Sequence, residues 1–190
     1  NNDEASILGH SGGIATKRLY FDSDGNRLDI ESEQNGQTAH AAVTADTNWH
    51  HYVVTWAGTS GGSHGNPIMY EDGSALTTTN GNFGVTADKH FVVDIIGSGG
   101  GSPGSHTAEF KGLIYQLGIW DVTLDADAVA AIYNSGTPIP LQANSGNYDN
   151  SGDLVTLWRF DEGTGTSTTD AIGGLTGTFV GDAAFSSTTP

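Results

Sequence analysis

The stretch Asn48-Trp49-His50-His51-Tyr52-Val53-Val54-Thr55-Trp56 decides how the rest of the chain is read. It is dense in β-branched and aromatic side chains, which fit a pleated strand better than the crowded turn of a helix. Apolar residues fall on both alternating faces, so the segment reads as a central strand covered on both sides, or as one with a side lining a groove. Similar short pieces lie on either side of it. Residues 17–31, KRLYFDSDGNRLDIE, hold two apolar runs around Asp22-Ser23-Asp24-Gly25-Asn26, and Asp-Gly between such runs predicts a hairpin turning near Asp24-Gly25. After a loop over 58–65, Pro67-Ile68-Met69-Tyr70-Glu71 runs into a second Asp-Gly turn at Asp72-Gly73. Phe91-Val92-Val93-Asp94-Ile95-Ile96-Gly97 reads as a further strand, followed by a small-residue tract over 98–105.

Residues 109–120 read as one long strand with Leu113, Tyr115, Leu117 and Ile119 on a single face. A polar loop is expected over 142–152, a strand over 153–161 containing Trp158 and Phe160, and a last strand over 176–185. A single stretch reads as helix, near residues 125–134. Asp125 can cap its amino end and complement the dipole there, and Gly136 and Pro138 stop it.

Composition agrees with this pattern. The 190 residues suit one domain, 1–190, and the 28 glycines among many Thr, Ser, Asn and Asp suit short strands joined by turns. Acidic residues outnumber basic ones by 22 to 6, giving a net charge of −16. Such a field repels nucleic acid and anionic membranes and attracts cations, which points to calcium or a salty, marine habitat. The chain has no cysteine, and no apolar run reaches the roughly 18 residues of a membrane span. It opens on no basic-then-apolar signal peptide, so an export signal is expected to have been removed or to lie upstream.

Four pieces, in order, resemble the laminin-G-like, concanavalin A-like jelly-roll superfamily. Residues 48–56 match its W-H-H-V-A-V-T strand, and Met69-Tyr70-Glu71-Asp72-Gly73 its Y-V-D-G hairpin. Phe110-Lys111-Gly112-Leu113-Ile114-Tyr115-Gln116-Leu117-Gly118-Ile119-Trp120 and residues 124–133 match the two motifs that follow. The tail, from Tyr133 to Gly163, resembles extensions of marine phage and marine bacterial surface members. The resemblance implies an all-β, two-sheet antiparallel jelly-roll sandwich with one short helix. Its usual opening strand has no counterpart before Ile7, so either the chain is a processed piece or its carboxyl-terminal segment supplies that strand, in the same chain or in a neighbour. Tyr115-Gln116 stands where the family commonly carries an acidic pair.

The same superfamily includes retaining β-glucanases, whose E-x-D-x-E strand holds two carboxylates about 5 to 5.5 Å apart. Here Arg27 takes the place of the first glutamate ahead of Asp29, Glu31 and Glu33, so the segment reads as a solvated strand, glycoside hydrolysis is the minor alternative and no enzyme is expected. Hard cations take oxygen ligands, and Asp22, Asp24 and Asn26 alternate around a turn, with Asp72 and Asp94 as further candidates for calcium. Glycan recognition needs aromatic platforms and amide groups. Tyr52, Trp56 and Trp120 are candidates for the first, and Asn66, Asn80 and Asn82 for the second. Trp49 and Trp158 read as core. The expected function is that of a non-catalytic structural or adhesive protein of a cell, virion or other extracellular surface, such as a virion decoration, fibre or assembly subunit. Its partners would be copies of itself or other assembly proteins. The alternative is a calcium-assisted carbohydrate-binding module recognising polysaccharide or glycoprotein glycans.

Overall fold

The structure, a computed structural model, describes residues 4–10, 18–22, 25–31, 38–57, 66–81, 94–99 and 108–190. Its strands are β1 (Ala5–Gly9), β2 (Arg18–Phe21), β3 (Arg27–Glu31), β4 (Thr38–Ala42), β5 (Tyr52–Thr55), β6 (Ile68–Glu71), β7 (Ser74–Ala75), β8 (Thr79–Gly81) and β9 (Ile95–Ile96). They continue with β10 (Leu117–Trp120), helix α1 (Ala126–Tyr133), β11 (Leu154–Trp158), β12 (Ser167–Thr169) and β13 (Thr176–Thr178). Two compact units result. The first is Asn1–Asn48, Tyr52–Glu71 and Ala75–Gly112, and the second is Trp49–His51, Asp72–Ser74 and Leu113–Pro190.

The first unit is the sandwich. One sheet has the order β8-β4-β3-β2-β1-β9 and the other β5-β6-β7, and the strand pairs are antiparallel. Alternation along the strands points Leu28 and Ile30 of β3, and Ala39 and Ala41 of β4, to one face. Ile30, Ala39 and Ala41 meet Met69 of β6 in a buried cluster, and Leu19, Val54, Trp56 and Leu76 close around it. This is the core of a two-sheet antiparallel jelly roll. The small alanines bring the sheets close and the unbranched Met69 fills what is left, so deleting that side chain would leave a cavity. β5 stands at the end of its sheet among the described residues, not at the centre as the sequence suggests, and its Tyr52, Val53 and Val54 are only half-buried.

The second unit holds β10 paired with β11, a β12–β13 hairpin, and α1. Asp125 caps α1 by accepting from Ala128 N at 2.8 Å, and Asn134 ends it in the left-handed conformation at φ 45°. Gly136 and Pro138 therefore follow a stop that Asn134 has already made. The Asp72-Gly73 turn has φ of 49° and 76°, the double positive φ of a hairpin turn of type I′. A Cβ on Gly73 would sit 3.1 Å from Tyr133 and 3.3 Å from the Ala130 backbone, so the glycine is required twice over, by its φ and by the helix packed on it. Gly73→Ala is expected to cost about 2 kcal/mol, read as a lower urea midpoint at unchanged m-value. A loss below about 0.5 kcal/mol would mean that α1 does not rest on this turn.

Several expectations need correction. The long strand over 109–120 is strand only at β10. Glu109 instead bridges Ser6, Phe110 N donates to Gly97 O at 2.9 Å, and Leu113 and Ile119 are exposed. A single strand cannot hold because its two ends pair with different partners, and the bend at Gly112 lies where the Phe110 ring leaves no room for a Cβ. The last strand is Thr176–Thr178 alone, paired with β12, which the sequence does not announce. None of β11, β12 and β13 joins the six-stranded sheet. Residues 91–93 of the predicted strand before Asp94 lie outside the described residues.

Candidate functional site

The face of the six-stranded sheet turned away from the sandwich core carries the polar residues of period-two runs: Arg18 and Tyr20 on β2, Arg27, Asp29 and Glu31 on β3, Thr38 and His40 on β4. Register lines them up. Ser6, Tyr20, Asp29, His40 and Thr79 stand opposite one another across five strands, and Arg18, Glu31 and Thr38 form the next row. This is not the solvated strand that the sequence suggests. Ser6, Tyr20 and Asp29 are all buried, Asp29 to 2 % exposure.

Charge in these rows is internally compensated. Arg18 donates from Nε to Glu31 at 3.0 Å and also bonds Glu4, while its guanidinium lies 4.0 Å above the Tyr20 ring. Arg27 donates to Asp29 Oδ2 at 2.8 Å, with Asp22 at 3.8 Å on its other side. Burial raises the Asp29 carboxyl above its ordinary value, and the Arg27 hydrogen bond pulls in the opposite direction without overcoming it. Burial, aided by the Asp29 charge, pushes the Tyr20 phenol up to about 12. Removing Arg27 by Arg27→Gln is therefore expected to raise the Asp29 pKa further, as followed by carboxyl carbon shifts in an NMR titration. An unchanged or lower pKa would show that Arg27 is not what holds this carboxylate ionised.

Of the calcium candidates, Asp22 accepts from Asn26 N at 3.2 Å and closes the turn through Gly25 N at 2.9 Å, while Asn26 is exposed. Asp24 lies outside the described residues. Asp94 sits 3.4 Å from His10 Nδ1. Asp72, in the second unit, receives His51 N–H and faces His50 Nδ1, both at 2.9 Å. The two histidines thus clasp a turn carboxylate. The His51 ring is stacked on Tyr133, and burial holds its pKa below the ordinary value against the pull of Asp72. Among the described residues no three His, Asp or Glu side chains are gathered to hold a metal ion.

The aromatic candidates are engaged in packing. Tyr52 bonds Glu71 Oε1 at 3.1 Å and meets Phe21 edge-on, and Trp56 packs on the sandwich core. Trp120, in the second unit, gives its indole N–H to Tyr148 at 3.1 Å and lies over Gly118, where a Cβ would come within 2.7 Å of the ring. Trp49 and Trp158, read as core, are half-buried. Asn66 and Asn80 are exposed, and Asn82 lies outside the described residues. Arg18, Tyr20 and His40 are not among the residues that type alone picks out, although the alternation of Arg18-x-Tyr20 with Thr38-x-His40 on neighbouring strands is a signal for them.

Comparison with curated proteins and with solved structures returns no match. A laminin G family model described as the concanavalin A-like lectin/glucanases superfamily matches residues 1–130, from β1 into α1. With the two-sheet core, the Asp72-Gly73 turn and the start of the following helix inside that match, this chain belongs to the concanavalin A-like lectin/glucanase superfamily.

Proposed function

We propose that the chain is a non-catalytic adhesive module of a cell, virion or other extracellular surface, and that its contact is with carbohydrate. The carrying observation is Arg27. A retaining glycosidase needs one free carboxylate as nucleophile and a second as acid on the same strand face. On β3 the first position is a guanidinium, and Asp29 and Glu31 are each tied to an arginine at 3.0 Å or less. The superfamily includes lectins as well as glucanases, so loss of the acid pair leaves binding as the chemistry this sheet face retains. Calcium enters this reading as the cation for the turn carboxylates of an acid-rich chain.

A glycan array run with calcium and again with chelator tests the proposal. Retention of at least one glycan class is expected, and an array blank under both conditions would sink it. A second reading, assembly with copies of itself, is favoured by the apolar side chains that the segment after residue 130 leaves exposed, among them Val155, Leu175 and Val180. Under that reading the mass from light scattering rises with protein concentration. A monomer at every concentration removes it.

A further inference from the structure

The second unit contains a pocket of about 220 Å³ that the family match hardly touches, since only Tyr115 and Gln116 of its lining fall within residues 1–130. Buried Ile139, Leu141 and Leu157 lie in its lining, but the surface it offers is more polar than apolar. Tyr115 forms one wall, its ring steadied by an edge-on contact with Trp49 at 6.5 Å between centroids. Gln116, Gln142 and the Arg159–Asp161 ion pair, 3.3 Å apart, complete the polar part of the lining. The Tyr115 hydroxyl and the two carboxamides form no hydrogen bond with another described residue, so their donors and acceptors are free for a ligand.

We infer that this pocket binds a single neutral hexose unit of a glycan, which deepens the carbohydrate reading above and rests on it. One aromatic wall accepts the C–H face of a sugar ring, and the amide and charged groups that make the lining mainly polar match its hydroxyls, each able to donate and accept. Volume limits the ligand: the pocket is smaller than the roughly 300 Å³ at which sites for drug-sized molecules begin, so one ring fits, as a chain end or side branch. Charge selects it further. Asp161 neutralises Arg159, leaving no unpaired cation in the lining, and the net charge of −16 disfavours uronic, sialic and sulfated sugars.

The test is an amide NMR titration of the whole chain with the methyl glycosides of glucose, galactose and mannose, beside the glycan array. At least one glycoside should bind with millimolar affinity and shift the amides of Tyr115, Gln116 and Gln142. The double variant Gln142→Ala/Arg159→Ala changes only exposed side chains, so it should melt as the wild type does while binding at least tenfold more weakly. Unchanged affinity in that variant, or a positive array with no glycoside binding, overturns the pocket and leaves the carbohydrate reading standing. Silence in both experiments overturns the two together.

Discussion

Replacing Asp170 by alanine is expected to destabilise the protein by about 3 kcal/mol. The carboxylate is 2 % exposed and accepts from Leu157 N at 2.8 Å, Ile172 N at 3.0 Å and Gly173 N at 3.0 Å. It therefore ties β11 to the loop after β12. Truncation strands three donors, and Leu157, itself buried, cannot turn to water for a substitute. Asp170→Asn keeps an acceptor oxygen and should cost roughly half as much. Burial opposes ionisation of Asp170, but the N–H of Leu157 and the other donors outweigh it, so the folded carboxyl lies below its ordinary value. The unfolded chain then binds the proton more readily. The stabilisation is present above the unfolded value of about 4 and is lost as pH falls through the lower folded value. Urea unfolding at pH 7 and at stepwise lower pH should show this acid-dependent segment in the wild type and not in Asp170→Ala. A loss under 1 kcal/mol at pH 7 would contradict the role.

Tyr148→Ala should cost about 4 kcal/mol, the range for deleting a large buried aromatic. Tyr148 is fully buried, meets Trp120 edge-on at 6.3 Å, donates to Leu141 O at 2.7 Å and accepts from the Trp120 indole at 3.1 Å. Tyr148→Phe keeps the ring and strands the Leu141 carbonyl and the indole N–H, so about 1 to 2 kcal/mol is expected from that change alone. Denaturation followed by tryptophan fluorescence measures both. Equal losses in the two variants would assign the whole effect to the hydroxyl and contradict the packing role of the ring.

Tyr148 also marks where the sequence is hard to read. It sits in a run of Asn, Ser, Gly and Asp that reads as a polar loop, and only its bridge to Ser145 and its hydroxyl partners make it a core residue. Local chemistry, by contrast, is legible. Asp125 caps helix α1, and Asp72-Gly73 takes the turn that Asp-Gly predicts, because both depend on side chain and backbone within a few residues. The long strand over 109–120 fails for the opposite reason. Its alternating apolar residues satisfy the pattern, yet pairing is decided by distant partners, Ser6 at one end and β11 at the other.

The candidate site divides in the same way. Arg27 in place of a glutamate is visible in the sequence, whereas its bond to Asp29 and the burial of that carboxylate are visible only in the structure. The Arg18 clasp of Glu4 and Glu31 joins β2 to β3 and to the residue before β1, and no spacing predicts it. Choosing aromatic residues by type points to Tyr52, Trp56 and Trp120, all committed to packing, because the sequence alone does not distinguish a stacking platform from a core residue.

Affinity electrophoresis through gels cast with soluble α- and β-glucans, galactans and mannans tests the central claim in one measurement, since it reads binding as retardation and hydrolysis as a cleared zone. The predicted result is a retarded band in at least one polysaccharide with the surrounding stain intact. A cleared zone, or free migration through every gel, would contradict the account.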